Sequence, residues 1–193
     1  MTMQNLTFTN PALAAQLIQG AVGVLPTDTL YGLVASALVP DAVARVYEIK
    51  GRSDHKPCII LVEGIAAIRQ FGVPEAEIAQ VAKYWPGALS VVFTHIDQQF
   101  AYLRRELGNP PFRVPGDAAL RELLHRTGPL IAPSANLQGI VPATTIEAAK
   151  NAFGERVDFY VDGGRREGEP STLVSVEGAT LKVLRQGAVR LLP

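Results

Sequence analysis

Short apolar runs alternate with helical segments along this chain until about residue 170, after which apolar runs follow one another with no helix between them. Interspersed strands and helices make an α/β or α+β protein. Consecutive tail strands without a crossover helix argue for a mixed sheet over a purely parallel one.

Read in order, residues 10–20 form a helix, with Asn10 as cap, Pro11 in the first turn and Gly20 closing the far end. Strands are expected at 21–25 and 31–36, joined by the turn-rich Pro26-Thr27-Asp28-Thr29, and a short helix at 41–50. A buried strand at 59–62, helices at 65–71 and 74–84, and a strand at 88–94 follow. Residues 97–111 carry no clear pattern. A helix is expected at 117–126 and a short strand at 130–132. Thr144 and Glu147 read as a capping box for a helix ending near Gly154. Residues 159–161 read as a strand, 162–170 as a loop with three glycines and two arginines, and 172–191 as strands broken by Gly178 and Gly187. No repeat, linker or low-complexity segment interrupts 1–193, so one domain is expected.

The bulk numbers narrow the function classes. Hydrophobic residues make up 48% of the 193, enough for a full core. Eighteen basic residues balance eighteen acidic ones, so the overall charge of a nucleic-acid binder is absent. The lone cysteine, Cys58, rules out an internal disulfide and suits a reducing compartment. No run approaches the roughly 18 apolar residues of a spanning helix, and residues 1–10 lack a signal-peptide pattern, so the cytoplasm is expected, with no membrane. The phosphate loop, the dinucleotide fingerprint, zinc-ligand spacings and the nucleophile elbow are all missing. His55, His95 and His125 are scattered and read as surface or satisfied side chains, so no protein metal site is expected.

Several clusters carry chemistry. Lys50 and Gly51 suit a helix end, a cation in the last turn followed by a stop, but Arg52, His55 and Lys56 beyond them do not need that explanation. A clamp on phosphate does, since arginine offers a planar fork and lysine a mobile point charge. Pro133-Ser134-Ala135-Asn136 is either an ordinary loop or a strand end with side chains small enough for a ligand to reach the backbone. The hydroxyls of 26–32 either satisfy a turn or meet a hydroxyl-bearing amino acid. Arg113, held between Pro111 and Pro115, either fixes a carboxylate with two donors or lies on an exposed edge. The glycine-rich loop before Ser171 is either a lid or mobile surface.

In order, Pro-Thr-Asp-Thr-x-Tyr-Gly (26–32), Lys-Gly-Arg (50–52), Trp-Pro-Gly (85–87), Arg-x-Pro (113–115), Ser-Ala-Asn (134–136), Asp-Gly-Gly (162–164), Ser-Thr-Leu (171–173) and Arg-x-Gly (185–187) resemble the YrdC-like family, whose best-known members are threonylcarbamoyl-AMP synthases. The resemblance runs from about residue 10 to the C-terminus and matches the short, stand-alone form, without the extra C-terminal domain of longer members. It implies a twisted mixed β-sheet flanked by helices around a large basic cavity. It further implies conversion of L-threonine, bicarbonate and ATP to threonylcarbamoyl-adenylate and pyrophosphate, with Mg2+, for partner proteins that transfer the carbamoyl group to a tRNA adenosine, and leaves open a contact with tRNA itself. Carried over residue by residue, it sets threonine near Thr29, Arg113, Ser134 and Ser171. It sets ATP near Lys50, Arg52, Lys56, Asn136, Thr144 and Arg185, with Lys50 and Arg52 catalytic.

The chain departs from the pattern at Ser53, where many members have proline, and at Leu61, where some have a histidine near threonine. Gln138 replaces a common serine, and Asn109-Pro110-Pro111 a β-branched run. Two other readings compete. One is a relative acting on a different carbamoyl adenylate, as the YrdC-like domain of hydrogenase-maturation proteins does. The other is an RNA-binding module without catalysis, against which the zero net charge weighs.

Overall fold

The structure, a computed structural model, describes residues 5–51 and 56–191. Its first half runs β1 (Asn5–Leu6), α1 (Pro11–Ile18), β2 (Gly23–Pro26), β3 (Tyr31–Ser36), α2 (Pro40–Lys50), β4 (Ile60–Leu61), α3 (Ile65–Arg69), α4 (Glu75–Val81) and β5 (Leu89–Val92). The second half runs β6 (Pro111–Arg113), α5 (Ala118–Thr127), β7 (Leu130–Ile131), α6 (Ile146–Phe153), β8 (Phe159–Val161), β9 (Thr172–Glu177) and β10 (Thr180–Arg185).

The strands form one ten-stranded sheet in the order β1-β8-β2-β3-β7-β4-β6-β5-β9-β10. Pairs β1–β8, β2–β8, β4–β6 and β5–β9 are parallel; β2–β3, β3–β7, β4–β7, β5–β6 and β9–β10 are antiparallel. The mixed α/β class expected from the helix-free tail is the one observed.

Both faces of the central strands are covered. Leu33 and Ala35 of β3 point into a core shared with α2, α4 and α6, while Val34 points into a second core shared with α1 and α5. Period-two alternation explains why β3 is buried at every position. The second core includes residues of β8, β2, β3, β7 and β4 but none of β6, β5 or β9. On the side of the sheet opposite Phe112 and Val91, β6 and β5 carry Arg113 and Ser90 instead.

Local signals explain most element ends. Asn10 Oδ1 accepts from Ala12 N at 2.9 Å and caps α1. Asp117 caps α5, and Gly51 stops α2 in the left-handed region at φ 60°. Three expectations are corrected. The cap of α6 is Thr145, whose hydroxyl accepts from Ala148 N at 3.2 Å, so Thr144 and Glu147 form no capping box. The segment 97–111 contains a 3-10 stretch, Gln98–Leu103, and then β6. Among the described residues no strand follows Arg185, so Gly187 breaks none. The short β1 was not foreseen, because two residues carry no readable period.

Candidate active site

The site is built from loops at strand ends, and its first part surrounds Lys50. This residue ends α2 with its side chain 4% exposed. Its ammonium donates to Ser134 O at 2.5 Å, Asn136 Oδ1 at 2.9 Å and Asn136 O at 3.0 Å. Ser134 Oγ donates to Asn136 Oδ1 at 2.6 Å, and the Asn136 amide donates to Leu137 O and Ile140 O. A buried cation here organises a loop of neutral acceptors. Lys50 and the Ser134–Asn136 loop, 84 or more residues apart, therefore meet directly.

Ser134 also links this cluster to the next. It bridges Gly32 at the start of β3, and Ala135 N donates to Tyr31 O at 2.7 Å. The loop after β2 folds back over Gly32: a Cβ there would sit 3.3 Å from Thr27 Cγ2 and 3.7 Å from Ala132 Cβ, so small residues make room for the loop. Thr27 stabilises the fold-back by donating to Leu30 O at 2.6 Å and meeting the Thr29 hydroxyl at 3.1 Å.

The second part centres on Arg113, which is 4% exposed and lies between β4 and β5. The exposed-edge reading is thereby overturned. Nη1 donates to Thr29 Oγ1 at 3.3 Å, and Nη2 lies 3.0 Å from Asp28 Oδ1. Nε is buried and has no hydrogen-bond partner among the described residues. Burial pushes the guanidinium pKa down, Asp28 opposes that shift, and Arg185 adds to it as a like charge. Arg185 donates to Ser171 O at 2.8 Å, its own pKa lowered by desolvation, and the buried Ser171 hydroxyl meets Ser90 Oγ at 2.8 Å.

A strap, residues 162–170, crosses this region. Tyr31 Oη donates to Gly164 O at 2.7 Å and accepts from Gly163 N at 3.0 Å. Arg166 N donates to Thr144 O at 2.8 Å. At Gly168 a Cβ would lie 2.7 Å from Thr29 O, so the strap rests on the backbone that carries the candidate threonine-binding hydroxyl.

Of the residues singled out from sequence, Lys50, Ser134 and Asn136 form one polar cluster. Thr29 and Arg113 form a second, and Ser171 and Arg185 a third within electrostatic reach of Arg113. Thr144 enters through its carbonyl, which accepts from Arg166 N of the strap. Lys56 is exposed, and among the described residues its backbone carbonyl accepts from Tyr47 Oη at 3.4 Å. Arg52 lies outside the described residues.

The family model of the Sua5/YciO/YrdC proteins, described as telomere recombination, matches residues 15–187. The chain belongs to this family. A Mycobacterium tuberculosis relative, provisionally named a threonylcarbamoyl-AMP synthase, is 35% identical over 173 residues, 88% of this chain and 80% of the relative. The threonylcarbamoyl-AMP synthase of Bacillus subtilis is 33% identical over 91% of this chain, which spans 52% of that protein. A crystal structure of P. abyssi Sua5 complexed with L-threonine superposes with a TM-score of 0.80 at 27% identity, over 91% of this chain and 53% of the other. The chain thus spans about half the length of these last two proteins.

For this member of the family, sequence reasoning passed over Asp28, Ser90 and Tyr31. A signal existed for Ser90, the one polar side chain in the apolar run Ala88–Phe93 and fully buried. Asp28 and Tyr31 lay inside a quoted motif but matter through partners 85 and 133 residues away, which no local pattern reveals.

Proposed function

We propose that this protein is an L-threonylcarbamoyladenylate synthase, a nucleotidyltransferase acting on L-threonine, bicarbonate and ATP. Its product would serve the N6-threonylcarbamoyl modification of tRNA adenosine in the cytoplasm, through carbamoyl-transfer partner proteins. The reading rests on family membership, on the names of relatives across 88% and 91% of the chain, and above all on Arg113. A buried guanidinium with an unfilled donor beside a threonine hydroxyl suits a small amino acid carboxylate.

The chemistry divides between the clusters. The threonine amine attacks the bicarbonate carbon, and water leaves to give a carbamate. A carbamate oxygen then attacks the α-phosphorus of ATP, the bond to the β-phosphate oxygen breaks, and pyrophosphate departs. Thr29, Arg113, Ser134 and Ser171 would hold and orient the amino acid. Charge grows on phosphate oxygens during the second step, where fixed cations lower the barrier. Three close acceptors occupy the donors of Lys50, so its part is to set the Ser134–Asn136 loop and place a positive charge beneath it. Arg52 and Arg185 are the candidates for direct phosphate contact, with Asn136, Lys56 and Thr144 nearer the nucleoside. Magnesium enters bound to the nucleotide, whose phosphates and water offer the oxygens it prefers. Among the described residues no three of His, Cys, Asp and Glu gather into a metal site, and no helix is long and apolar enough to cross a membrane.

The test is pyrophosphate release by purified protein from ATP and bicarbonate. Dependence on L-threonine is the expected outcome. Dependence on carbamoyl phosphate would move the protein to the hydrogenase-maturation type of chemistry. Salt-sensitive RNA binding without turnover would make it a binding module.

A further inference from the structure

The two oxygens of Asp28 do different things. Oδ2 accepts from Gly116 N at 2.8 Å and pins the turn after Arg113. Arg121 Nη1 holds the same turn from the other side, donating to Pro115 O at 2.7 Å and Gly116 O at 2.8 Å. The structural work of Asp28 is therefore done by Oδ2. Oδ1 is buried on a side chain that is 10% exposed, and it accepts no hydrogen bond. Its 3.0 Å approach to Arg113 Nη2 is charge against charge, without a well-directed hydrogen bond.

The Arg113 charge compensates Oδ1, yet with no directed donor on it this oxygen can still accept a hydrogen bond. Arg113 Nε is its mirror image, a buried cationic donor with nothing to donate to. Two vacancies of opposite sign within one ion pair, beside the hydroxyl of Thr29, match a ligand bearing both charges on neighbouring atoms. An amino acid zwitterion is such a ligand: carboxylate and ammonium share one carbon.

We infer that Asp28 is a substrate-recognition residue that accepts a hydrogen bond from the substrate's α-ammonium through Oδ1, while Arg113 takes the carboxylate. The inference deepens the proposed synthase function and rests on it. The pair then selects for α-amino acids over hydroxy acids of the same shape. A carboxylate beside the amine favours the ammonium form, so Asp28 recognises the entering substrate and is not the base that prepares the nucleophile.

The test compares two ligands by calorimetry, L-threonine and 3-hydroxybutyrate, which is threonine without its α-amine. The wild-type protein is expected to bind threonine more tightly by about tenfold or more. Asp28→Asn, which keeps an acceptor for Gly116 N, is expected to lose about tenfold or more of the threonine affinity and to leave 3-hydroxybutyrate within about threefold. Equal weakening of both ligands overturns the inference, because Asp28 would then merely hold Arg113 and its turn. Unchanged threonine affinity in Asp28→Asn overturns it as well. A wild-type protein that binds both ligands alike overturns it whether or not the variant folds. Absence of threonine binding by wild type overturns the synthase reading itself, whereas threonine-dependent turnover with an indifferent Asp28 removes the inference alone.

Discussion

Lys50 holds a charge that is nearly cut off from water and donates to Ser134 O, Asn136 O and Asn136 Oδ1; Asn136 N also donates to the first of these and Ser134 Oγ to the last. Replacing it with methionine keeps much of the volume but removes the charge-assisted bonds that tie this loop to α2, and takes from Asn136 O its Lys50 donor. Lys50→Met is expected to lower unfolding stability by about 2 kcal/mol, read from urea denaturation. An unchanged midpoint would mean that the Ser134–Asn136 loop stands without it. Arg113 makes a different demand, for geometry as well as charge. Arg113→Lys keeps the charge but loses the planar fork, so L-threonine affinity by calorimetry is expected to fall about tenfold or more, with binding of a non-hydrolysable ATP analogue within about threefold of wild type. A parallel loss of both ligands would show that Arg113 does not belong to the amino acid alone. The types of these side chains were legible in the sequence; their partners were not. Arg113 between two prolines looked equally like an edge residue, and only its place between β4 and β5 decides that it is interior.

Among elements, the strap over 162–170 is the one whose position depends on single atoms. Gly168→Ala puts a methyl group against Thr29 O, where the distance of 2.7 Å leaves no room. Turnover with threonine is expected to drop about tenfold or more, while stability changes by less than about 1 kcal/mol, because the strap is mostly exposed. The other end of the strap hangs on the Tyr31 hydroxyl, which burial holds above the ordinary value of 10.0, as it does for Tyr102 and Tyr160, the last pushed up to about 12. A folded pKa above the unfolded one means that the stabilisation is present in full below about pH 10 and is lost as pH rises through the folded values. The urea midpoint is therefore expected to hold from pH 8 to about 10 and to fall toward pH 12, with a shallower fall in Tyr160→Phe; an identical fall in that variant would contradict the assignment. Helix and strand existence was readable because caps and short apolar runs are local, as at Asn10, Gly51 and residues 159–161. The shift of the α6 cap from Thr144 to Thr145 was not readable, since two adjacent threonines satisfy the same pattern and packing chooses between them.

At the scale of the whole molecule, polar loops from both halves of the chain are drawn together by sheet order. β3 lies beside β7, and β6 beside β5, so motifs from residues 26–32, 85–87, 113–115, 134–136 and 171–187 become neighbours. One contact path runs from Lys50 through Ser134, Gly32, Thr27 and Thr29 to Arg113. If that path is one site, an amino acid and a nucleotide occupy it together. The measurement that tests this most directly is a crystal structure with L-threonine and a non-hydrolysable ATP analogue. The account predicts the threonine carboxylate on Arg113, its hydroxyl beside Thr29, and the nucleotide on the side of Lys50 and Asn136. Either ligand bound elsewhere, or threonine seated with its carboxylate away from Arg113, would contradict it.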